Sequence, residues 1–179
     1  PYLDKVIADL TVTPGLIALR IEKGELDGYG WYSDPTPADI QHARTDPTYV
    51  HYLAAAPPQA VSWLDLNVHE PPMDKPALRQ AIAMAINRRR IVQVRGGLAI
   101  PAYQIFVPSM PQYDPVLDQH PIYPYDPVKA AALVKASGYS GQPLTLFFDS
   151  SVPVDVNTNI SVQQDLKQIG LNVTLRGVS

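Results

Sequence analysis

The sequence predicts an α/β or mixed α+β chain, and three observations carry that prediction. Helix-like and strand-like stretches alternate along all 179 residues, with no internal repeat. Between Asp74 and Gly97, Leu78, Ala81, Ile82, Ala85 and Ile86 recur at three- and four-residue spacing and form one apolar helical stripe. Later, residues 144–148, about 160–169 and 171–175 read as strand, helix and strand, a unit that favours parallel pairing through a right-handed crossover.

Taken in order, residues 3–12 alternate imperfectly and predict a strand. Thr13 and Pro14 open a helix through Lys23 that carries Leu16, Ile17 and Ile21, and Gly24 ends it. Residues 26–29 form a short strand leading into Trp31 and Tyr32. Thr36 caps a helix over 37–44, Asp46 and Pro47 turn the chain, and 49–53 read as another strand. Residues 61–67 are the next strand; period two places Trp63 and Asp65 on one side and Leu64 and Leu66 on the other. Asp74 is placed to cap the striped helix, with Lys75 and Pro76 in its first turn. Asn87 caps the next helix, whose apolar face is Ile91, Val92 and Val94, and Gly96 and Gly97 stop it. Residues 99–123 make a long Pro-rich loop, and Asp126 caps a helix to Ser137, ended by Gly138.

Bulk properties exclude several classes. With 46% hydrophobic and 17% charged residues the chain is globular in composition. A net charge of -3 gives no electrostatic reason for a nucleic-acid partner. No apolar run approaches the roughly 18 residues that a membrane span needs. The absence of cysteine removes disulfides and thiolate metal sites. The 19 prolines punctuate helix starts (Pro14, Pro76, Pro127) and loops, with no repeat of a Pro-rich ligand.

No catalytic or metal constellation emerges. His42, His51, His69 and His120 are scattered, and His69-Glu70 lacks the second histidine of a zinc-protease helix, so no metal site and no cofactor are expected. No serine stands in a Gly-x-Ser-x-Gly elbow. Asp74 and Asp126 are better read as caps than as acids. Arg88, Arg89, Arg90 and Arg95 are read as a solvated basic face, and Arg79, beside the apolar stripe, as one half of a buried ion pair.

The wording of residues 67–92, NVHEPPMDKPALRQAIAMAINRRRIV, is more specific than its periodicity. It resembles the central signature of the family-5 extracellular solute-binding proteins, the peptide- and nickel-type binding proteins of bacterial ABC importers. Asn67, Pro71, Pro72, Asp74, Arg79, Gln80, Ala81, Ala85, Ile86 and Arg88 match; Pro76, Met73 and Asn87 depart, the last two keeping volume and capping ability. Gly24-Glu25-Leu26-Asp27, residues 123–139 and residues 162–175 resemble further blocks of the family in the same order.

The resemblance implies a fragment of a two-lobed fold. Residues 1–58 would be part of the first lobe, 59–66 a crossing strand and 67–179 part of the second. Because the family's members are longer, the chain is expected to be a truncated central piece. It implies an extracytoplasmic, periplasmic or lipoprotein component that is not an enzyme. Such a component binds oligopeptides or a similar polar solute by lobe closure, acts as a monomer and is recognised by a membrane permease. A ligand-sensing domain of the same fold in a regulator or receptor is the alternative. The mixture of flat apolar surface and polar handles that a peptide cleft needs is supplied by Trp63, Asp65, Tyr103, Gln104, Trp31 and Tyr32, the ligand-binding candidates.

Overall fold

A computed structural model describes residues 2–30, 35–52 and 57–178. The chain divides into two units, residues 1–55 and 56–179. In the first, helix α1 (Pro14–Glu22) starts with proline in its first turn, where no backbone N–H is needed. Helix α2 (Pro37–Thr45) begins with a reciprocal cap: Asp39 N–H donates to Thr36 Oγ1 at 3.2 Å, and Thr36 N–H donates to Asp39 Oδ2 at 2.9 Å. A 3-10 turn, Val50–Tyr52, follows and packs against α2. Ile17 of α1 and Ile40 of α2 are the buried side chains of these helices. Tyr29 donates its hydroxyl to Asp39 at 3.2 Å, and burial, followed by the charge of Asp39, pushes that phenol well above its ordinary range.

The second unit holds helices α3 (Pro76–Ala85), α4 (Arg88–Val94), α5 (Val116–Gln119), α6 (Pro127–Ala136) and α7 (Pro153–Gln168). Its strands are β1 (Leu144–Asp149) and β2 (Val173–Val178). β1 and β2 pair in parallel, with Leu144 opposite Val173 and Leu146 opposite Leu175, and α7 forms the connection. α3 packs on α6, and α7 packs on both strands and on α4. Leu78, Ala81, Ile82, Met84 and Ala85 of α3 join Ala130, Val134, Leu146, Val162, Leu166, Ile169, Leu171 and Val173 in one core. Leu78 and Ile82, 0% and 3% exposed, carry the expected stripe, and Ile86 packs against it partly buried. Each such side chain stabilises the fold by about 1.5–3 kcal/mol relative to an exposed position.

The caps follow local chemistry. Asn87 Oδ1 accepts from Arg90 N–H at 3.1 Å, and Asp126 Oδ1 accepts from Lys129 N–H at 2.8 Å. Gly96 and Gly97 stop α4 with φ of 77° and 74°, left-handed values that a side chain disfavours. Asp74 departs from expectation: the position before α3 is Lys75, and no side chain caps that helix. What Asp74 supplies is a main-chain carbonyl, which accepts from Arg79 Nη1 at 3.0 Å while Met73 O accepts from the same nitrogen at 2.7 Å. Arg79 therefore fastens the turn before α3 through carbonyls, and the ion pair expected of it is not formed among the described residues.

Four expected strands are not formed among the described residues. Residues 3–12, 26–29 and 61–67 carry no ladder, and 50–52 turn as a 3-10 segment, Leu53 lying outside the described residues. A strand exists only through its neighbour's N–H and C=O groups, and no described segment pairs with these. Residues 61–67 still keep the expected sides. Leu64 and Leu66 pack on the core, while Trp63 is 67% exposed and Asp65 is exposed with it.

Candidate functional site

Two surfaces of the second unit carry the expected ligand-binding side chains. On the first, Trp63 Nε1–H donates to Asp65 Oδ1 at 3.0 Å, so the indole and the carboxylate stand together on the outward side of residues 61–67. The flat ring is open to solvent and its one polar hydrogen is already satisfied, leaving an apolar platform beside a fixed negative charge.

The second surface is a depression of about 210 Å³ lined by Asn87, Arg88, Arg89, Tyr103 and Tyr125. The start of α4 supplies the first three side chains, the Pro-rich loop supplies Tyr103, and the approach to α6 supplies Tyr125. Arg88 is held in place by carbonyls: Nε donates to Ala102 O at 2.8 Å and Nη1 to Ala83 O at 3.0 Å. That clamp lays the guanidinium over the Tyr103 ring, 4.9 Å from its centroid. Burial lowers the pKa of Arg88 from its ordinary value. An arginine so lowered still carries its charge at neutral pH.

Gln104 lies outside this lining. Its amide is engaged at both ends with one residue, Nε2 donating to Asp114 O at 2.7 Å and Oε1 accepting from Asp114 N–H at 3.0 Å. The exchange closes the loop that presents Tyr103. Trp31 and Tyr32 lie outside the described residues.

Behind the depression, α4 is tied to α7. Arg90 Nη2 donates to Asp165 Oδ1, its Nε donates to Ser161 Oγ at 3.0 Å, and Asn87 N–H donates to Asp165 Oδ2 at 3.0 Å. Arg95 Nη1 pairs with Asp155 Oδ1 at 2.8 Å. The expected solvated basic face is therefore corrected. Arg88, Arg90 and Arg95 are committed to carbonyls and carboxylates of the fold, and only Arg89 of the four stands exposed without a polar contact among the described residues. Sequence reading missed Asn87, Arg88, Arg89 and Tyr125 as lining residues. Two cap residues, Asn87 and Asp126, were legible, and the residues beside them face the same depression; that was the available signal. Among the described residues no group of three metal-ligating side chains comes together.

Comparison with known proteins adds the family. The profile described as bacterial extracellular solute-binding proteins, family 5 Middle, matches residues 1–179. Di/tripeptide-binding protein 2 of Pseudomonas aeruginosa (strain UCBPP-PA14) is 30% identical over 180 residues, covering 98% of this chain and 32% of that protein. Glutathione-binding protein GsiB of Salmonella choleraesuis (strain SC-B67) is 34% identical over 128 residues, covering 69% of this chain and 24% of that protein. Among solved structures, NikA from Brucella suis in complex with Fe(III)-EDTA shares the fold with a TM-score of 0.75 at 21% identity, over 93% of this chain and 36% of that one. The chain thus spans between 24% and 36% of the length of these proteins. Matched along its whole length by the family profile, the chain belongs to the family-5 bacterial extracellular solute-binding proteins.

Proposed function

We propose that the chain is the central part of the non-enzymatic solute-binding component of an ABC importer, with short peptides as its solute. The observation that carries the peptide reading is the 30% identity, over nearly the entire chain, to a di/tripeptide-binding protein. The 34% identity to a glutathione-binding protein, whose ligand is itself a tripeptide, supports it. Residues 1–58 would belong to the first lobe, 59–66 to the crossing and 67–179 to the second lobe. The ligand would be trapped by their closure.

Trp63 and Asp65 are assigned as ligand contacts on chemical grounds. An exposed indole suits a peptide's apolar side chains, and a carboxylate suits its ammonium or N–H groups. Tyr103 is assigned with them, Gln104 shapes the loop behind it, and Trp31 and Tyr32 are assigned to the first lobe's share of the cleft. The component would work outside the cytoplasm as a monomer, and its closed form would be recognised by a membrane permease. No helix among the described residues is long and apolar enough to cross a membrane.

Thermal unfolding of the full-length protein with dipeptides, tripeptides, glutathione, monosaccharides and a nickel chelate tests the reading. Peptides are expected to raise the melting temperature and to be recovered uncleaved by mass spectrometry. Stabilisation by the sugar or the chelate alone, or cleavage of the peptide, would overturn it.

A further inference from the structure

Among the described residues, no main-chain N–H or C=O of residues 98–106 bonds another main-chain group. Three consecutive residues of that stretch are nevertheless held, each through a side chain, and Tyr103 is the middle one. Before it, Ala102 O accepts from Arg88 Nε at 2.8 Å. At Tyr103 itself, the Arg88 guanidinium stands 4.9 Å from the ring centroid. After it, the Gln104 amide exchanges hydrogen bonds of 2.7 and 3.0 Å with the main chain of Asp114. Arg88 thus supplies two of the three contacts. Its remaining bonds reach the end of α3, where Nη1 donates to Ala83 O at 3.0 Å and to Ile86 O at 3.5 Å. The last carbonyls of a helix have no partner within it, and a cation there is also favoured by the helix dipole. That end of α3 is a rigid base, since the neighbouring Met84 and Ala85 are buried in the core. One planar side chain therefore joins a core helix to the loop, with separate nitrogens for each. A lysine, with one nitrogen on a flexible stem, does not reproduce that span.

We infer that Arg88 is a positioning residue for solute recognition, acting on the solute through Tyr103. The inference rests on the reading above, in which Tyr103 is a peptide contact. A stretch without main-chain bonds would otherwise be ordered only when the peptide arrives, and the conformational entropy lost then would be subtracted from the affinity. Clasped at 102, 103 and 104, Tyr103 meets the peptide with its ring already set. Because the hydrogen bonds of Arg88 end on carbonyls of the fold, its replacement removes geometry, and a variant that keeps the positive charge still suffers the loss.

The test is a double-mutant cycle in the full-length protein, read by isothermal titration with a mixed tripeptide library and by circular dichroism. Tyr103→Ala is expected to weaken binding about tenfold or more, as loss of an aromatic contact does. Arg88→Lys, which keeps the charge and loses the span, is expected to weaken it at least about fivefold with a native dichroism spectrum. Combined with Tyr103→Ala, it is expected to bind within about twofold of Tyr103→Ala alone, because both act through one ring. Arg88→Gln is the second variant and is expected to repeat both results. Wild-type affinity in Arg88→Lys, or losses that multiply in the double variant, would overturn the inference, since a residue acting on the fold alone or directly on the peptide does not couple to Tyr103. Loss of the native spectrum in both Arg88 variants would assign Arg88 to the fold alone and overturn it as well. Peptide binding that Tyr103→Ala leaves unchanged would overturn the inference while the peptide reading stands. Binding of no tripeptide by the wild type would overturn that reading, and the inference with it.

Discussion

Asp165 holds Arg90 across 75 positions of sequence, from a site where the carboxylate is 1% exposed. One oxygen accepts from Arg90, and the other accepts from the main-chain N–H of Asn87 at 3.0 Å, so a single buried side chain fixes both the cap and the first turn of α4. Since Asn87, Arg88 and Arg89 line the depression, the direction they face depends on a residue of α7 that never reaches it.

Removing that carboxylate leaves Arg90 without its ion-pair partner, with only Ser161 to donate to, and Asn87 N–H unsatisfied. Asp165→Ala is expected to cost about 3–5 kcal/mol in urea unfolding, the range for breaking a buried pair. Arg90→Met combined with Asp165→Leu is expected to recover part of that loss. A cost of about 1 kcal/mol or less, the value for a surface ion pair, would contradict the arrangement.

The α3 stripe gives a second test. Ile82→Ala removes packing at a 3%-exposed core position of α3 and is expected to cost about 2–5 kcal/mol. The measurement is again the denaturant midpoint, with an unchanged slope as the sign that the native state is retained. A change below about 0.5 kcal/mol would mean that this side chain does not carry the core.

A cap costs less. Asp126→Ala removes the acceptor of Lys129 N–H at the start of α6 and is expected to destabilise by about 1 kcal/mol. Ligand affinity should stay within about twofold. Affinity loss without a change in melting temperature would reassign Asp126 from cap to ligand contact.

The contrast between these residues shows what was legible in the sequence. Asn87, Asp126 and the Leu78–Ile82 stripe act within one or two helical turns, so residue type and spacing determine them. β1 and β2 were legible because the helix between them belongs to the same stretch of chain. α7 begins at Pro153, well before the expected start near 160. Asn157, Thr158 and Asn159 are weak helix formers, but Thr158 Oγ1 donates to Val154 O at 2.7 Å and Asn159 Nδ2 to Asp155 O at 2.8 Å, so the last two bond back into the helix. The strands expected at 3–12 and 61–67 needed partners that no local pattern supplies. The pairing of Arg90 with Asp165 was equally invisible, since a polar run in α4 and a polar-looking residue in α7 meet only after folding. Tyr103 was legible as a candidate, but its neighbours in the depression were hidden for the same reason.

Trp63 separates recognition from folding. The residue is 67% exposed and contributes little packing, so Trp63→Ala in the full-length protein is expected to change stability by less than about 0.5 kcal/mol. Peptide binding is expected to weaken by about 1–3 kcal/mol, as loss of an aromatic contact does. Titration calorimetry and thermal unfolding on the same samples distinguish the two effects. Unchanged affinity would remove Trp63 and Asp65 from the cleft.

The most direct test of the account is a crystal structure of the full-length protein with a bound tripeptide. The account predicts the peptide enclosed between two lobes, in contact with Tyr103 and Trp63. A peptide held entirely by residues outside this chain, with the depression at the start of α4 filled by solvent, would contradict it.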